Sequence, residues 1–516
     1  MMVKIIKRGK GKDDKIKPSG NEGAVSLSKS LKENEKLFKE IFEGDETIRY
    51  RCFETMDALK CMMIFTDGMV NSEIINENIL TPVMNCKILS DTEALNAVDF
   101  LIEKVIASDD IRKETDIDEI VGNLLYGDTV LLVDGQDVGI IMNTKGWKTR
   151  SIVEPTAERT VKGPRDGFVE SIIINTSLIR RRVRNPKLKF NFMELGKSTK
   201  TQISVCYIDG IANKQILEEL LKRLKKIDID GILASNYIEE LIADSPLSIF
   251  KTTGYSERAD VIVGKMLEGR IAILVDGTPV TITVPYIFME YFQSYQDYYD
   301  NYYLASFNRI MRYMAFFLTT SISPIYLALV TYHPEMIPTP LLLSITSARQ
   351  GIPFPTIVEA LVLIFMFEIL RESGTRLPEP VGSAVSIVGA LVIGQAAVDA
   401  RFVSAPITII VAMTGITSFL VFSMNTAVII IRFIFILLAG LLGLYGYIFG
   451  VIGLFINLMS MRSFGVPYMI NLGSLNMQDI KDTIIRAPWW YMYYRPKIIG
   501  SSNPIRMPDA KPNKNS

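Results

Sequence analysis

Two glutamates, Glu359 and Glu368, interrupt an apolar run in the C-terminal half of the chain, and Gln395 and Asp399 lie near the end of the next one. Ionisable groups in apolar surroundings are costly and face a partner charge or a watery cavity, so these four are candidates for lining a path for ions or protons. Glu359 and Glu368 are nine residues apart. That is about 180° around a helix of 3.6 residues per turn, and a straight helix cannot turn both towards one axis. Glu368, Glu372 and Arg376 fall at i, i+4 and i+8, the spacing of an ion ladder at a helix end.

Other chemistry is sparse. His333 is the single histidine and Pro334 follows it, so neither a metal site nor a histidine-based triad has its companions. No catalytic constellation, metal site or cofactor is expected. The four cysteines, Cys52, Cys61, Cys86 and Cys206, show no CxxC spacing, which fits buried thiols in a reducing compartment. No strand is followed by GxGxxG or GxxxxGK[ST], and the "GKGK" of the N-terminal tail has the wrong spacing to cradle phosphate. Arg180, Arg181, Arg182 and Arg184 form a basic run that reads as a solvated face or subunit contact, and no nucleic-acid partner is expected.

The elements that hold these residues follow from the uneven charge. No lysine occurs between Lys265 and Lys481, and residues 301–460 carry only seven Arg and six Asp or Glu. Apolar runs cover 311–332, 356–370, 381–398, 402–423 and 428–459, the last 32 residues long. Roughly 20 residues cross a hydrocarbon core, so the sequence predicts an all-α polytopic membrane domain over 309–460 with four to six spans. Arg309 and Arg312 precede the first run and the tail from 461 is net basic, which places both ends in the cytosol and demands an even number of crossings. In the last run Ala439, Gly443, Gly446, Gly450 and Gly453 recur at steps of four and three, a small-residue stripe for close helix packing that favours one long helix. The third run is equally rich in small residues, Gly382 to Ala397. Between the first two runs, Pro340 and Pro353 bracket a short apolar segment ending in Arg349 and Gln350. It is too short to span and reads as a re-entrant or interfacial element, with Arg349 and Gln350 at a pore mouth or a subunit contact.

The first half is of a different kind. Residues 1–28 are a basic, Lys-, Gly- and Ser-rich tail read as disordered, and 29–285 alternate helical and strand patterns. "TVLLVDGQDVGIIM" and "IAILVDGTPVTITV" each place a strand before Val-Asp-Gly, which predicts two hairpins and either two α/β subdomains or one domain closed by its last strand pair. A strand, a helix and a further apolar run from 201 to 232 favour an α/β sheet with crossover helices. Over 286–308, Tyr291, Tyr295, Tyr298 and Tyr302 share one helical face, the pattern of an amphipathic helix at the headgroups of membrane lipid or, alternatively, of a helix packed on its own soluble domain. The predicted fold class is therefore a soluble α/β N-terminal domain, in two subdomains, followed by the helical membrane domain and a C-terminal tail over 461–516.

Several stretches carry a resemblance: "EPTAERTVKGPRDGFVESIIINTSLIRRRVRNPKL", "YIDGIAN", "LEGRIAILVDGTPVTITVP", "PTPLLLSITSARQGIPFP" and "VIGQAAVDARFVSAPITIIVA". In order and spacing, from about Leu31 to Leu472, they resemble the GerA family of spore germination proteins, A subunit. The resemblance implies a multi-pass protein of the spore's inner membrane with no enzyme activity. It implies a nutrient germinant receptor with a transporter-like B subunit that binds the nutrient and a lipoprotein C subunit. The A subunits would form a homo-oligomeric ring with an ion-conducting path. A related branch serves dipicolinate release as an accessory channel or scaffold, and the charged extension before Leu31 leans towards the receptor branch.

Overall fold

The computed structural model describes residues 26–87, 97–147, 158, 162–376, 389, 394–470, 482–495 and 503–506. The chain divides into two units, residues 1–147 with 183–186, and residues 148–182 with 187–516.

In the first unit, β1 (Ile48–Glu54), β2 (Lys60–Thr66), β3 (Ile111–Glu114), β4 (Thr129–Val133) and β5 (Gly139–Met142) form a sheet in the order β1-β2-β4-β5-β3. Successive side chains of a strand point to opposite faces, and here both faces are covered. Met62, Ile64, Val130 and Leu132 pack with Phe38, Ile120 and Leu124, while Cys61, Met63, Leu131 and Val133 pack with Ile75, Ile79 and Leu101 on the other side. Burial on both faces explains why these strands read as continuous apolar runs.

The second unit repeats the plan. β6 (Leu188–Leu195), β7 (Thr201–Ile208), β8 (Gly254–Ser256), β9 (Ile271–Val275) and β10 (Thr281–Val284) pair in the order β6-β7-β9-β10-β8, the first sheet's order shifted by five. Each sheet opens with a hairpin, passes through helices to a short edge strand, returns by another helix and ends in a hairpin at Asp-Gly. Gly135 and Gly277 take φ of 85° and 81° there, a left-handed conformation that disfavours a side chain. The two-subdomain expectation holds. The crossover expectation holds in a modified form: neighbouring strands all pair antiparallel, but β3 and β4, and likewise β8 and β9, are parallel strands joined by one helix across the intervening β5 or β10. The order strand, helix, strand does not by itself fix which strands become neighbours.

The helical tyrosine face is also not formed. Residues 288–292 and 295–298 make two separate 3₁₀ turns, and the long helix begins only at Tyr302. Tyr291 is buried in a cluster with Phe288, Phe292 and Tyr468, and the Tyr295 hydroxyl donates to the Val261 carbonyl at 2.7 Å. These rings fill a core, and the same apolar-plus-polar character that suits a bilayer interface suits that position.

The apolar half contains helices Tyr302–Tyr332, Thr339–Arg349, Thr356–Arg376, Ala405–Ser418 and Asn425–Ser460. Among the described residues, Tyr302–Tyr332 and the stretch Ala405–Ser460 are long and apolar enough to cross a membrane. That stretch reverses twice. Thr319 donates to Thr417, and Ser323 is hydrogen-bonded to Thr414, so Ala405–Ser418 runs antiparallel to Tyr302–Tyr332. Beyond the turn 419–424, Ala315 shares a cluster with Val428 and the Tyr332 hydroxyl donates to the Gly440 carbonyl, so residues 425–442 run parallel to it.

Gly443 then takes φ 63° and ψ −144°, which breaks the helix. A Cβ on Gly446 would lie 2.1 Å from the Leu438 carbonyl oxygen, and one on Gly450 would lie 3.0 Å from Phe435 Cδ1. The chain therefore doubles back, and the expectation of one long helix is corrected to a helical hairpin. Steps of four and three serve close packing equally well when the helix packs against its own preceding half.

Both ends of the helical region lie on one side of it. Met461 shares a cluster with Phe288, Phe292 and Ala315, and Tyr468 is fully buried beside them. Ser463 accepts from the Tyr286 N–H at 3.0 Å and donates to the Thr252 carbonyl at 2.6 Å. The first residues read as a C-terminal tail are thus a strap built into the second sheet's core. A bundle entered and left on the same face is traversed an even number of times.

Candidate functional site

Polar side chains form three levels along the helical bundle. At the level nearest the sheet, Arg309 is fully buried; its Nε meets Asp297 Oδ2 at 3.2 Å and its Nη1 meets Asp482 Oδ1 at 2.9 Å. Arg312 Nη2 meets Asp297 Oδ1 at 2.6 Å. Two arginines on one helix face, three residues apart, thereby hold the 3₁₀ turn at Asp297, and Arg309 also holds Asp482 of the C-terminal residues.

At mid-height Glu368 receives both Arg432 and Arg371, and Arg371 Nη1 also donates to Asn425 Oδ1 at 2.8 Å. Arg432 is 1% exposed. A guanidinium stripped of water in an apolar bundle is tolerable only with a countercharge, which Glu368 supplies from a neighbouring helix. The ion ladder is partly right: Glu372 pairs with Arg376 at 2.7 Å, but Glu368 turns inwards to Arg371 and Arg432 instead.

At the far level Glu359 is buried in the first turn of Thr356–Arg376. Its Oε2 accepts the Ser404 N–H at 2.8 Å, so the carboxylate caps the Ala405–Ser418 helix, where the helix dipole favours negative charge. Its Oε1 lies 3.6 Å from Arg349 Nη2. Glu359 Oε1, Ser404 Oγ, Arg349 Nε and Tyr326 Oη are all buried without a hydrogen-bond partner. Each such atom costs about 1–3 kcal/mol, which makes this the least satisfied polar group among the described residues of the bundle.

The remaining predicted residues separate from these levels. Arg349 ends the helix Thr339–Arg349, whose 11 residues span about 16 Å. Pro340 stands in its first turn, and Gln350 and Pro353 are exposed in the connection to Thr356–Arg376. Gln395 and Asp399 are exposed and join none of the three levels. Ala439 is buried, Gly443 is the break, Gly446 and Gly450 line the hairpin, and a Cβ on Gly453 meets nothing within 4 Å. Most of the small residues from Gly382 to Ala390 lie outside the described residues. Sequence reading missed Arg371, Arg432, Tyr326 and Ser404 as partners. Arg432 alone left a signal, as one of two polar residues in the last apolar run.

Two arginines of the basic run make structural contacts. Arg180 lies over the Phe190 ring with its Cζ 4.9 Å from the centroid, and Arg182 pairs with Asp166 at 2.6 Å.

A family model described as Bacillus/Clostridium GerA spore germination protein matches residues 36–498. The chain belongs to the GerA family. Among GerA relatives, spore germination protein KA of Bacillus subtilis is 42% identical over 483 residues, covering 93% of this chain and 88% of the relative. The uncharacterized membrane protein YfkQ of the same organism is 40% identical over 479 residues, covering 92% and 93%. The crystal structure of the N-terminal domain of the A subunit of the Bacillus megaterium spore germinant receptor GerK3 is 32% identical, with a TM-score of 0.42, covering 52% of this chain and 98% of that one.

Proposed function

We propose that this chain is the A-type membrane subunit of a nutrient germinant receptor, and that copies of it form a gated ion channel in the spore's inner membrane. The observation that carries the reading is the under-satisfied Glu359–Arg349 contact. It ties the short helix, which cannot span, to the helix Thr356–Arg376 through one 3.6 Å ion pair, and the same carboxylate holds the start of Ala405–Ser418 through the Ser404 N–H. Contacts with unmet hydrogen-bonding capacity exchange partners at low cost, so this one serves as the latch of a gate. Around it the outer helix faces carry Phe317, Phe365, Ile409, Leu441 and Phe449, all exposed and suited to lipid or to neighbouring copies. An even number of traverses supports a topology with the Lys-rich half and the strap together in the cytosol. A transporter-like B subunit and a lipoprotein C subunit are the partners that family membership suggests, and the function is one of conduction with no enzymatic step.

The test is nutrient-triggered cation release from spores carrying Glu359→Gln, Arg349→Gln or the pair Pro340→Ala/Pro353→Ala, at matched protein levels. Altered onset, or release without nutrient, supports the latch. Wild-type release from all three overturns it.

A further inference from the structure

A cavity of about 560 Å³ opens in the second unit where the helix Ala259–Leu267, the 3₁₀ turns at 288–298, the helix-to-helix turn at Phe422 and the C-terminal residues Trp489 and Arg506 converge. That volume lies in the range that takes a small molecule or a headgroup. We propose that it is a phosphate-binding site at the cytosolic face of the membrane, filled by an anionic lipid headgroup or by free phosphate.

The cavity's carboxylates are spent. Glu290 receives Arg270 at 2.9 Å, Lys265 at 3.4 Å and the Ile287 N–H at 2.9 Å. Glu268 receives Arg270 and faces Arg506 at 4.0 Å. Glu158 accepts the Ser256 hydroxyl and the Glu257 N–H, and Asp260 binds Arg258 and the Tyr299 hydroxyl. Donors remain in excess. Lys265 is 8% exposed, and its two polar neighbours, Glu290 and Thr283, both lie at the long distance of 3.4 Å. Arg270 is 4% exposed and its Nε has no partner. An acceptor-rich oxyanion meets this pattern, whereas a cation or an apolar ligand leaves the same donors unmet. Burial holds the Lys265 ammonium below its ordinary pKa, as expected of a cation whose countercharge is incomplete.

The rim favours a lipid source. Phe422 and Trp489 line the cavity with exposed rings, their chain neighbours Phe419, Trp490 and Tyr491 are exposed too, and Trp and Tyr gather at headgroup level in membrane proteins. The site does not rest on ion conduction. Only the lipid source needs the helices to lie in a bilayer.

The experiment is thermal unfolding of the full-length protein in a neutral detergent, with inorganic phosphate against chloride at equal ionic strength, and with phosphatidylglycerol against phosphatidylcholine in the micelle. Stabilisation by phosphate alone assigns free phosphate, and stabilisation by phosphatidylglycerol assigns the headgroup. Arg506→Gln, at the cavity edge, should weaken the apparent affinity about tenfold, and Lys265→Met should abolish the shift. No shift with either source overturns the proposal, as does an equal shift in wild type and Arg506→Gln. Neither outcome bears on cation release.

Discussion

Alanine substitutions along the glycine stripe separate a hairpin from a straight helix by sign. In a straight helix, each of Gly443, Gly446, Gly450 and Gly453 replaced by alanine gains about 0.8–1 kcal/mol of helix propensity. In the hairpin only Gly453→Ala keeps that gain, since its Cβ meets nothing within 4 Å. Gly443→Ala forces a side chain into φ 63°, ψ −144°, a strain of about 1–3 kcal/mol, with Tyr332 Cβ 3.1 Å away. Gly446→Ala puts a methyl 2.1 Å from the Leu438 oxygen and 2.7 Å from its carbonyl carbon. Backbone has to move there, so about 3 kcal/mol is expected, the upper end of overpacking. Gly450→Ala presses on Leu438 Cδ1 at 2.9 Å and Phe435 at 3.0 Å, side chains that can yield, for about 1 kcal/mol. The assay is the fraction of monodisperse protein left after graded heating in detergent, read by size exclusion. A short thiol crosslinker between Phe435→Cys and Gly450→Cys gives a second readout. In a straight helix those sites lie about 22 Å apart and do not link. Four substitutions that all stabilise, with no crosslink, would refute the hairpin.

Three further outcomes follow from the buried charges. Glu368→Gln leaves both Arg371 and Arg432 without a countercharge and should cost about 3–5 kcal/mol, whereas Arg432→Met leaves Glu368 paired with Arg371 and should cost clearly less, in the same heating assay. Asp297→Asn removes the carboxylate shared by Arg309 and Arg312, so its heat stability should fall below that of the exposed-site variant Asp399→Asn, which should stay within about 0.5 kcal/mol of wild type. Burial raises the Tyr295 phenol well above its ordinary value of 10.0. The unfolded chain then releases that proton first, so stability is intact below pH 10 and falls as the pH climbs towards the raised value. Tyr295→Phe should flatten the alkaline limb of a stability-against-pH curve, and an unchanged limb counts against the burial.

What the sequence disclosed was whatever a local pattern can carry. The Asp-Gly hairpins, the apolar runs and the proline-bounded short element each depend on residues within one turn or one strand. The tyrosines from 291 to 302 carried a valid helical period, yet aromatic packing around Phe288 broke the segment into turns. The Glu368–Arg432 pair joins residues 64 apart, and nothing local announces such a partner. The 32-residue last run was the available clue to the Gly443 reversal, being far longer than one crossing needs. Glu359 was found because a carboxylate in an apolar run is conspicuous, but its unsatisfied neighbours come from three other segments that only folding brings together.

The strap also sets an order of assembly. Tyr286 leaves the ribosome 177 residues before Ser463, the residue whose hydroxyl it binds. The second sheet is therefore made with a gap in its core that Phe464, Val466 and Ile470 fill only after the last helix has been made. A copy whose hairpin fails to form cannot deliver those side chains. Its sheet keeps an open apolar seam, a mark by which a cell's proteases can tell an unfinished subunit from a finished one.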